Sequence, residues 1–174
     1  MSMTCELAVW RSAGSLPERP CFTPITIMRL LLSMDGGGSA GTFNCTNNFI
    51  PNGGSEKALI LGPDGAPLSR ANGRVEVLAQ DGTILSSNQD GSGNTLGADG
   101  LFFLGVMSVP GGSLGGAGRV TLRAWDSSTG ATFDEASVKG QVSISLPSLD
   151  GGIKPPDNLI DSDFRGLRLS GGIG

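Results

Sequence analysis

The sequence contains no histidine and no tyrosine, and only 5% of its residues are aromatic. Histidine is the most common general base and transition-metal ligand, and it activates the nucleophile of Ser-His and Cys-His catalytic pairs. Its absence lowers the expectation of catalysis sharply. We predict no catalytic residue, no resident metal and no cofactor, so the chain is not expected to be an enzyme.

Cysteine and positive charge are also scarce. The 3 cysteines, Cys5, Cys21 and Cys45, lie far apart without a C-x-x-C pair, which supports neither a zinc knuckle, a redox motif nor a disulfide framework. There are 12 Lys and Arg residues against 16 Asp and Glu residues, a formal net charge of -4. Because no basic stripe alternates with aromatic residues, nucleic acid is not expected among the partners.

Long hydrophobic runs are missing, and no segment approaches the roughly 20 apolar residues of a transmembrane helix. Residues 1–27 lack any helical or strand period, and residues 1–40 are not expected to join a core. Within them, residues 28–40 combine a basic start, a short apolar run and small residues, as signal peptides do. That run is shorter than the about 7–15 residues of a working leader. We interpret residues 1–40 as a damaged or mis-started leader, with a disordered native tail as the alternative.

Glycine and proline are abundant, with 29 and 10 residues. Both are unfavourable inside helices, because glycine costs backbone entropy and proline lacks the amide donor, but both suit short strands joined by turns. From residue 41 onward apolar side chains recur at every second position, as in strands. The candidate strands are 42–50, 57–61, 74–80, 83–85, 101–109, 119–126, 141–146 and 164–169. The nearly all-apolar segment 101–109 is expected in the middle of a sheet.

These strands and the turns between them predict an all-β fold, an antiparallel immunoglobulin-like β-sandwich, with a jelly roll as the alternative. Asp81-Gly82 predicts a two-residue type I′ hairpin, in which both central residues need positive φ. Thr132 and Glu135 match a capping box and predict one short helical turn near 132–139, ended by Gly140. We assign residues 41–150 to the sandwich and residues 151–174 to a Pro/Gly-rich linker that can add a last strand.

One loop has oxygen-bearing side chains at the spacing of a calcium-binding loop. Within residues 88–99, these side chains fall at positions 1, 3, 5 and 12, and a glycine stands at position 6. The candidate ligands are Asn88, Asp90, Ser92 and Asp99. The strong motif has Asp first and Glu last, so we interpret this segment as an ordinary glycine-rich loop, with a weak calcium site as the alternative.

Arg123 and Trp125 are the candidate ligand-binding residues, because they point to the same face of one predicted strand. Together they could form a stacking surface for a sugar. Alternatively, the connection 127–133 covers Trp125. Nearby, Asp126, Asp134 and Glu135 are close enough in sequence for a glycosidase-type carboxylate pair, although turn and capping roles account for all three.

Three stretches resemble a known group of exported proteins. They are residues 42–44 (TFN), 123–136 (RAWDSSTGATFDEA) and 155–159 (PPDNL). Over roughly residues 41–159 the chain is similar to exported β-rich proteins of Verrucomicrobia and related bacteria, many of which carry a C-terminal PEP-CTERM sorting tail. The resemblance implies an exported, envelope-associated or matrix-associated β-sandwich with no catalytic residues to carry over. Because the sorting tail itself is not found here, anchoring is not implied.

The sequence thus favours a non-catalytic structural or extracellular-matrix module, secreted or held in a bacterial cell envelope. Its expected partners are extracellular polysaccharide or cell-envelope components, with no nucleic acid and no transmembrane segment. The alternative function is a carbohydrate-binding module that uses Trp125 and Arg123. That alternative requires Trp125 to be exposed beside a groove.

Overall fold

The computed structural model describes residues 40–51, 54–86, 93–150 and 159–171. Within these ranges the chain forms eight β-strands and one turn of 3-10 helix, Leu159–Asp161. The strands are β1 (Ala40–Thr46), β2 (Ile60–Leu61), β3 (Gly73–Ala79), β4 (Asn94–Thr95), β5 (Phe103–Ser113), β6 (Gly118–Asp126), β7 (Lys139–Leu146) and β8 (Leu167–Arg168). The predicted all-β sandwich is confirmed, and the sheets that form its two layers are antiparallel. No helix in these ranges is long and apolar enough to cross a membrane.

The main sheet is antiparallel and has the strand order β4-β3-β6-β7. Successive side chains of a strand point to opposite faces, so the two-residue period of β6 places Val120, Leu122 and Ala124 in the core. The predicted inward residues Val75 and Val77 of β3 are buried in the same core. The periodicity therefore identified the core face of this sheet correctly.

The second layer contains the antiparallel pair β1-β5. Phe43 and Cys45 of β1 and Met107 and Val109 of β5 are buried in the shared core. The expectation that the apolar segment 101–109 lies in the middle of a sheet is wrong. In the described part of the chain β1 is the only strand that pairs with β5, which leaves the other edge of β5 open.

A short parallel pair joins β2 to β8, with Ile60 opposite Leu167. The segment that leads to and includes β8 adds Leu159, Phe164 and Leu169 to the core. Residues 159–171 therefore contribute side chains to the core, in addition to adding a strand. The packed domain extends beyond residue 150.

The hairpin that follows β3 is present, but its turn differs from the prediction. Leu78 pairs with Ile84, and the Gly82 amide donates to the Ala79 carbonyl at 3.0 Å. Gly82 has a φ of 88°, whereas no described non-glycine residue has a positive φ. Asp81 therefore cannot occupy a type I′ position. One left-handed glycine after a turn is the pattern of a longer hairpin with a glycine bulge.

The predicted capping box is confirmed as a single turn. The Glu135 amide donates to Thr132 Oγ1 at 3.4 Å, and the Thr132 amide donates to Glu135 Oε2 at 3.3 Å. The Ala136 amide donates to the Thr132 carbonyl at 3.0 Å, which closes the turn. Gly140 does not end this turn, because it already belongs to β7.

Asn47 follows directly after β1 and ties together three segments of the chain. Its Nδ2 donates to the carbonyls of Ala58 at 2.8 Å and Gly100 at 2.9 Å. Its Oδ1 accepts the Phe102 amide at 2.7 Å. The side-chain amide of Asn47 thus makes hydrogen bonds to three backbone groups that strand pairing does not satisfy. This explains why a polar residue occupies a fully buried position.

Candidate functional site

Arg123 and Trp125 lie on the same face of β6, as predicted, but that face is covered. Trp125 is 0% exposed. Its ring meets Phe133 edge to face, with centroids 6.0 Å apart and planes at 82°. Gly93 lies against another side of the indole, so closely that a Cβ atom at this position would overlap the ring. Of the two alternatives for Trp125, the structure shows cover by the connection 127–133, and the indole offers no exposed face for sugar stacking.

Arg123 also takes part in this covered arrangement, the Phe133 cluster, formed by Glu76, Arg123, Trp125, Phe133 and Lys139. The Arg123 guanidinium lies 4.8 Å from the Phe133 ring centroid and pairs with buried Glu76 at 3.4 Å. Lys139 Nζ lies 5.1 Å from the same centroid and donates to the Phe133 carbonyl at 2.9 Å. These contacts hold the 127–138 connection against the sheet.

Two buried donors of the Phe133 cluster, Nε of Arg123 and Nε1 of Trp125, have no hydrogen-bond partner in the part of the chain that the structure describes. Ring and cation contacts therefore hold the cluster more than a complete hydrogen-bond network does. This arrangement supports packing, and it leaves the Trp125 indole no exposed face for a ligand.

Glu76 is the titratable group of the Phe133 cluster whose environment changes its proton affinity. Burial raises the pKa of its carboxyl, the Arg123 guanidinium partly offsets that effect, and the charge of Asp134 adds to it. Since the net pKa is raised, the folded protein binds the Glu76 proton more tightly than the unfolded chain. Stability from this group is therefore present at low pH and is lost as pH rises from 4.5, the ordinary glutamate value, through the raised value.

We expect the Glu76→Gln variant to remove this pH dependence. Glutamine keeps the shape and an oxygen acceptor for Arg123 but cannot ionise. The difference in free energy of unfolding between wild type and variant should shift in favour of the variant as pH rises above 4.5. Urea unfolding at a series of pH values measures it, with exposed Glu56→Gln as the control. A constant difference across that series would contradict the assignment.

The three carboxylates proposed as a glycosidase pair are used locally. Asp126 Oδ1 accepts the Ser128 amide at 2.9 Å and its hydroxyl at 2.6 Å, and Glu135 belongs to the capping box. Asp134 is exposed, and its backbone carbonyl accepts Lys139 Nζ. None of the three lines either of the clefts described below.

The calcium prediction falls mostly outside the described residues. Asn88, Asp90 and Ser92 lie there, so only Asp99 can be placed. Asp99 is exposed, and its Oδ1 accepts the Arg70 amide at 2.8 Å. Within the described ranges no three acidic, histidine or cysteine side chains come together as metal ligands. The 88–99 site stays a prediction.

Cys45 behaves as a small apolar residue. It is fully buried in the core as a free thiol, and burial raises its pKa far above the ordinary value. A thiol held protonated in this way is a poor nucleophile. Cys5 and Cys21 lie outside the described residues.

Two clefts open on the surface. One, of about 690 Å³, lies between the turns at the end of the sandwich, and its charged lining residues are Asp81 and Arg119. The other, of about 750 Å³, lies beside β2 and β8, and we name it the basic cleft. Its lining residues are Pro51, Gly54, Ser55, Glu56, Lys57, Leu59, Leu61, Arg165, Gly166, Leu167 and Arg168. The basic cleft was not predictable from the sequence, because the parallel pairing of β2 with β8 joins segments that are distant in the chain.

No protein family, curated protein or solved structure matches this chain. The likeness to exported Verrucomicrobia proteins therefore remains a resemblance of three short stretches. Inferences about function depend on the geometry of the described residues.

Proposed function

We propose that this domain is a non-catalytic structural module of a bacterial cell surface or extracellular matrix, and that copies assemble through strand β5. The observation that carries the proposal is the open edge of β5. Proteins usually protect long edge strands with charged side chains, because exposed strand edges pair with other chains. The segment 101–118 contains no charged residue. Export is supported by the signal-peptide-like residues 28–40 and by the three resembling stretches.

Among the described residues, no strand pairs with the outer edge of β5, so its backbone hydrogen-bonding groups on that side have no strand partner. Thr42 of β1 exchanges both backbone hydrogen bonds with Asp150, on the side of β1 away from β5. Along a strand, the backbone N–H and C=O groups of successive residues point alternately to its two sides. Because the groups of Thr42 point to Asp150, the backbone bonds from β1 to β5 come from the neighbours of Thr42. Met107 therefore faces β1, and the backbone groups of Val106 and Ser108 face outward. These outward groups are available to a further strand.

The side chains next to this edge are apolar and exposed. Val106 is 60% exposed and Phe103 is 53% exposed. Gly105, with a φ of 78°, forms a bulge between them, and the bulge brings both residues to the solvent face. A second copy approaching antiparallel would pair the same uncharged strand with itself and cover both side chains. That match gives the net negative chain a contact free of charge repulsion.

The carbohydrate-binding alternative that used Trp125 and Arg123 has lost its support. Its surface required an exposed indole face, and the Phe133 cluster covers that face. Arg123 is engaged with Glu76 and the Phe133 ring. The open edge of β5 therefore remains the best-supported basis for a role.

We expect Val106→Lys to weaken self-association by about tenfold or more, because an antiparallel pair would bring two like charges and two desolvated ammonium groups together. Analytical ultracentrifugation of the full chain over a concentration series measures this effect. The control is Leu114→Lys, which adds the same charge at a residue that is 54% exposed and lies beyond the strand.

Two results would contradict assembly through β5. One is a wild-type chain that stays monomeric at every concentration tested. The other is equal weakening by Val106→Lys and Leu114→Lys, which would indicate general charge repulsion rather than a specific edge contact.

A further inference from the structure

The basic cleft gathers cations on a chain whose formal net charge is -4. Lys57, Arg165 and Arg168 line it, against one carboxylate, Glu56. The only ion pair among the described residues is Arg123 with Glu76, so the three cations of the cleft have no anionic partner there. Like charges that share a concave surface raise the local concentration of anions.

Backbone carbonyls hold the two guanidinium groups in place. Arg165 Nη1 donates to the carbonyls of Ser162 at 2.9 Å and Phe164 at 3.0 Å, and Arg168 Nη2 donates to the Pro63 carbonyl. Both side chains are exposed, so their remaining N–H groups can reach a ligand. A guanidinium that is already ordered loses less entropy when it binds an anion.

The floor of the basic cleft is aliphatic. Leu59, Leu61 and Leu167 are half-buried there, so they offer apolar surface that a ligand can cover. Gly166 has a φ of 106°, and a Cβ at this position would lie 2.7 Å from the Leu59 carbonyl oxygen. This close approach brings Arg165 and Leu167 next to β2. No aromatic residue lines the cleft, which gives sugars and bases no stacking surface.

We infer that the basic cleft binds an anionic amphiphile, an aliphatic chain that ends in a carboxylate. The guanidinium groups of Arg165 and Arg168 and the ammonium of Lys57 receive the carboxylate, and the three leucines cover the chain. A cleft of about 750 Å³ lies within the size range of small-molecule sites. Charge complementarity selects the head group, and the aliphatic floor selects the tail.

Isothermal titration calorimetry of the full chain with decanoate, below its micelle-forming concentration, tests this inference. Acetate lacks the tail and decanol lacks the charge, so each should bind about tenfold more weakly or worse. Arg165→Ala, Arg168→Ala and Lys57→Ala should each weaken decanoate binding by about tenfold. Arg70→Ala removes an exposed cation outside the cleft and should leave the affinity unchanged.

The Lys57→Ala variant is not expected to affect folding, because within the described residues the only hydrogen bond of the Lys57 ammonium is to the exposed Asn48 side chain. The inference is overturned if decanoate does not bind, if acetate binds as well as decanoate, or if all three cleft variants keep wild-type affinity. The cleft does not include β5. A monomeric Val106→Lys variant should therefore bind decanoate like the wild type, and this separates failure of the cleft from failure of strand assembly.

Discussion

Replacing Asn47 by alanine is expected to lower the free energy of unfolding by about 3–5 kcal/mol. The change removes three buried hydrogen bonds at 2.7–2.9 Å and leaves the Ala58 carbonyl and the Phe102 amide without a partner among the described residues. The Gly100 carbonyl still accepts the Ile60 amide at 2.9 Å. Each buried polar group that loses its partner costs about 1–3 kcal/mol. The loss is concentrated at one residue because Asn47 joins three separate segments.

The neighbouring Asn48 provides a matched control. Asn48 is exposed, and its side-chain oxygen accepts one bond, from Lys57 Nζ. Asn48→Ala should change stability by no more than about 0.5 kcal/mol. Asn47→Asp should destabilise at neutral pH at least as much as Asn47→Ala, because a carboxylate cannot donate and would face two carbonyl oxygens. Urea unfolding measures all three, and equal midpoints for Asn47→Ala and Asn48→Ala would refute the role of Asn47.

Trp125→Ala is expected to destabilise the domain by about 3–5 kcal/mol. Trp125 is fully buried, and its removal leaves a cavity beneath Phe133 and beside Gly93. The 127–138 connection would then lose the surface on which it packs. Trp125→Phe keeps part of the ring contact and should cost clearly less. Urea unfolding measures both variants.

The edge-to-face contact itself can be isolated with a double-mutant cycle of Trp125→Ala and Phe133→Ala. The two rings are expected to couple by about 0.5–1.5 kcal/mol beyond the area that each buries. Additive effects of the two changes would show that Phe133 covers Trp125 without a specific ring contact. If Trp125→Ala alone lowered the free energy of unfolding by less than about 0.5 kcal/mol, as expected for an exposed residue, the burial of this face would be contradicted.

The face assignment of β6 was predictable from the sequence, which also offered cover by the connection 127–133 as one of two alternatives for Trp125. Alternation separates Leu122 from Arg123, because successive side chains point to opposite sides of a strand. Alternation does not reveal whether the outward side chains are exposed to solvent. Here Phe133 and Lys139 close it through contacts that follow from the path of the 127–138 connection. A tryptophan that looked suited to a sugar is therefore a packing residue.

Two other features were beyond sequence reasoning for different reasons. The apolar composition of 101–109 is the same for a central strand and for an edge strand used in assembly, so it could not locate β5. The basic cleft depends on the pairing of β2 with β8, and a parallel register between distant segments leaves no local pattern. By contrast, the capping box of Thr132 and Glu135 was predictable, because all its hydrogen bonds lie within one turn.

The late position of β8 has a consequence for synthesis on the ribosome. β2 precedes its partner by about a hundred residues, as the Arg168–Pro63 hydrogen bond at a separation of 105 shows. A nascent chain must leave the Ile60 side of the core uncovered until Leu167 and Leu169 have emerged. The domain therefore completes its folding only after residue 169 has emerged, and until then part of its apolar interior stays exposed to chaperones and to aggregation.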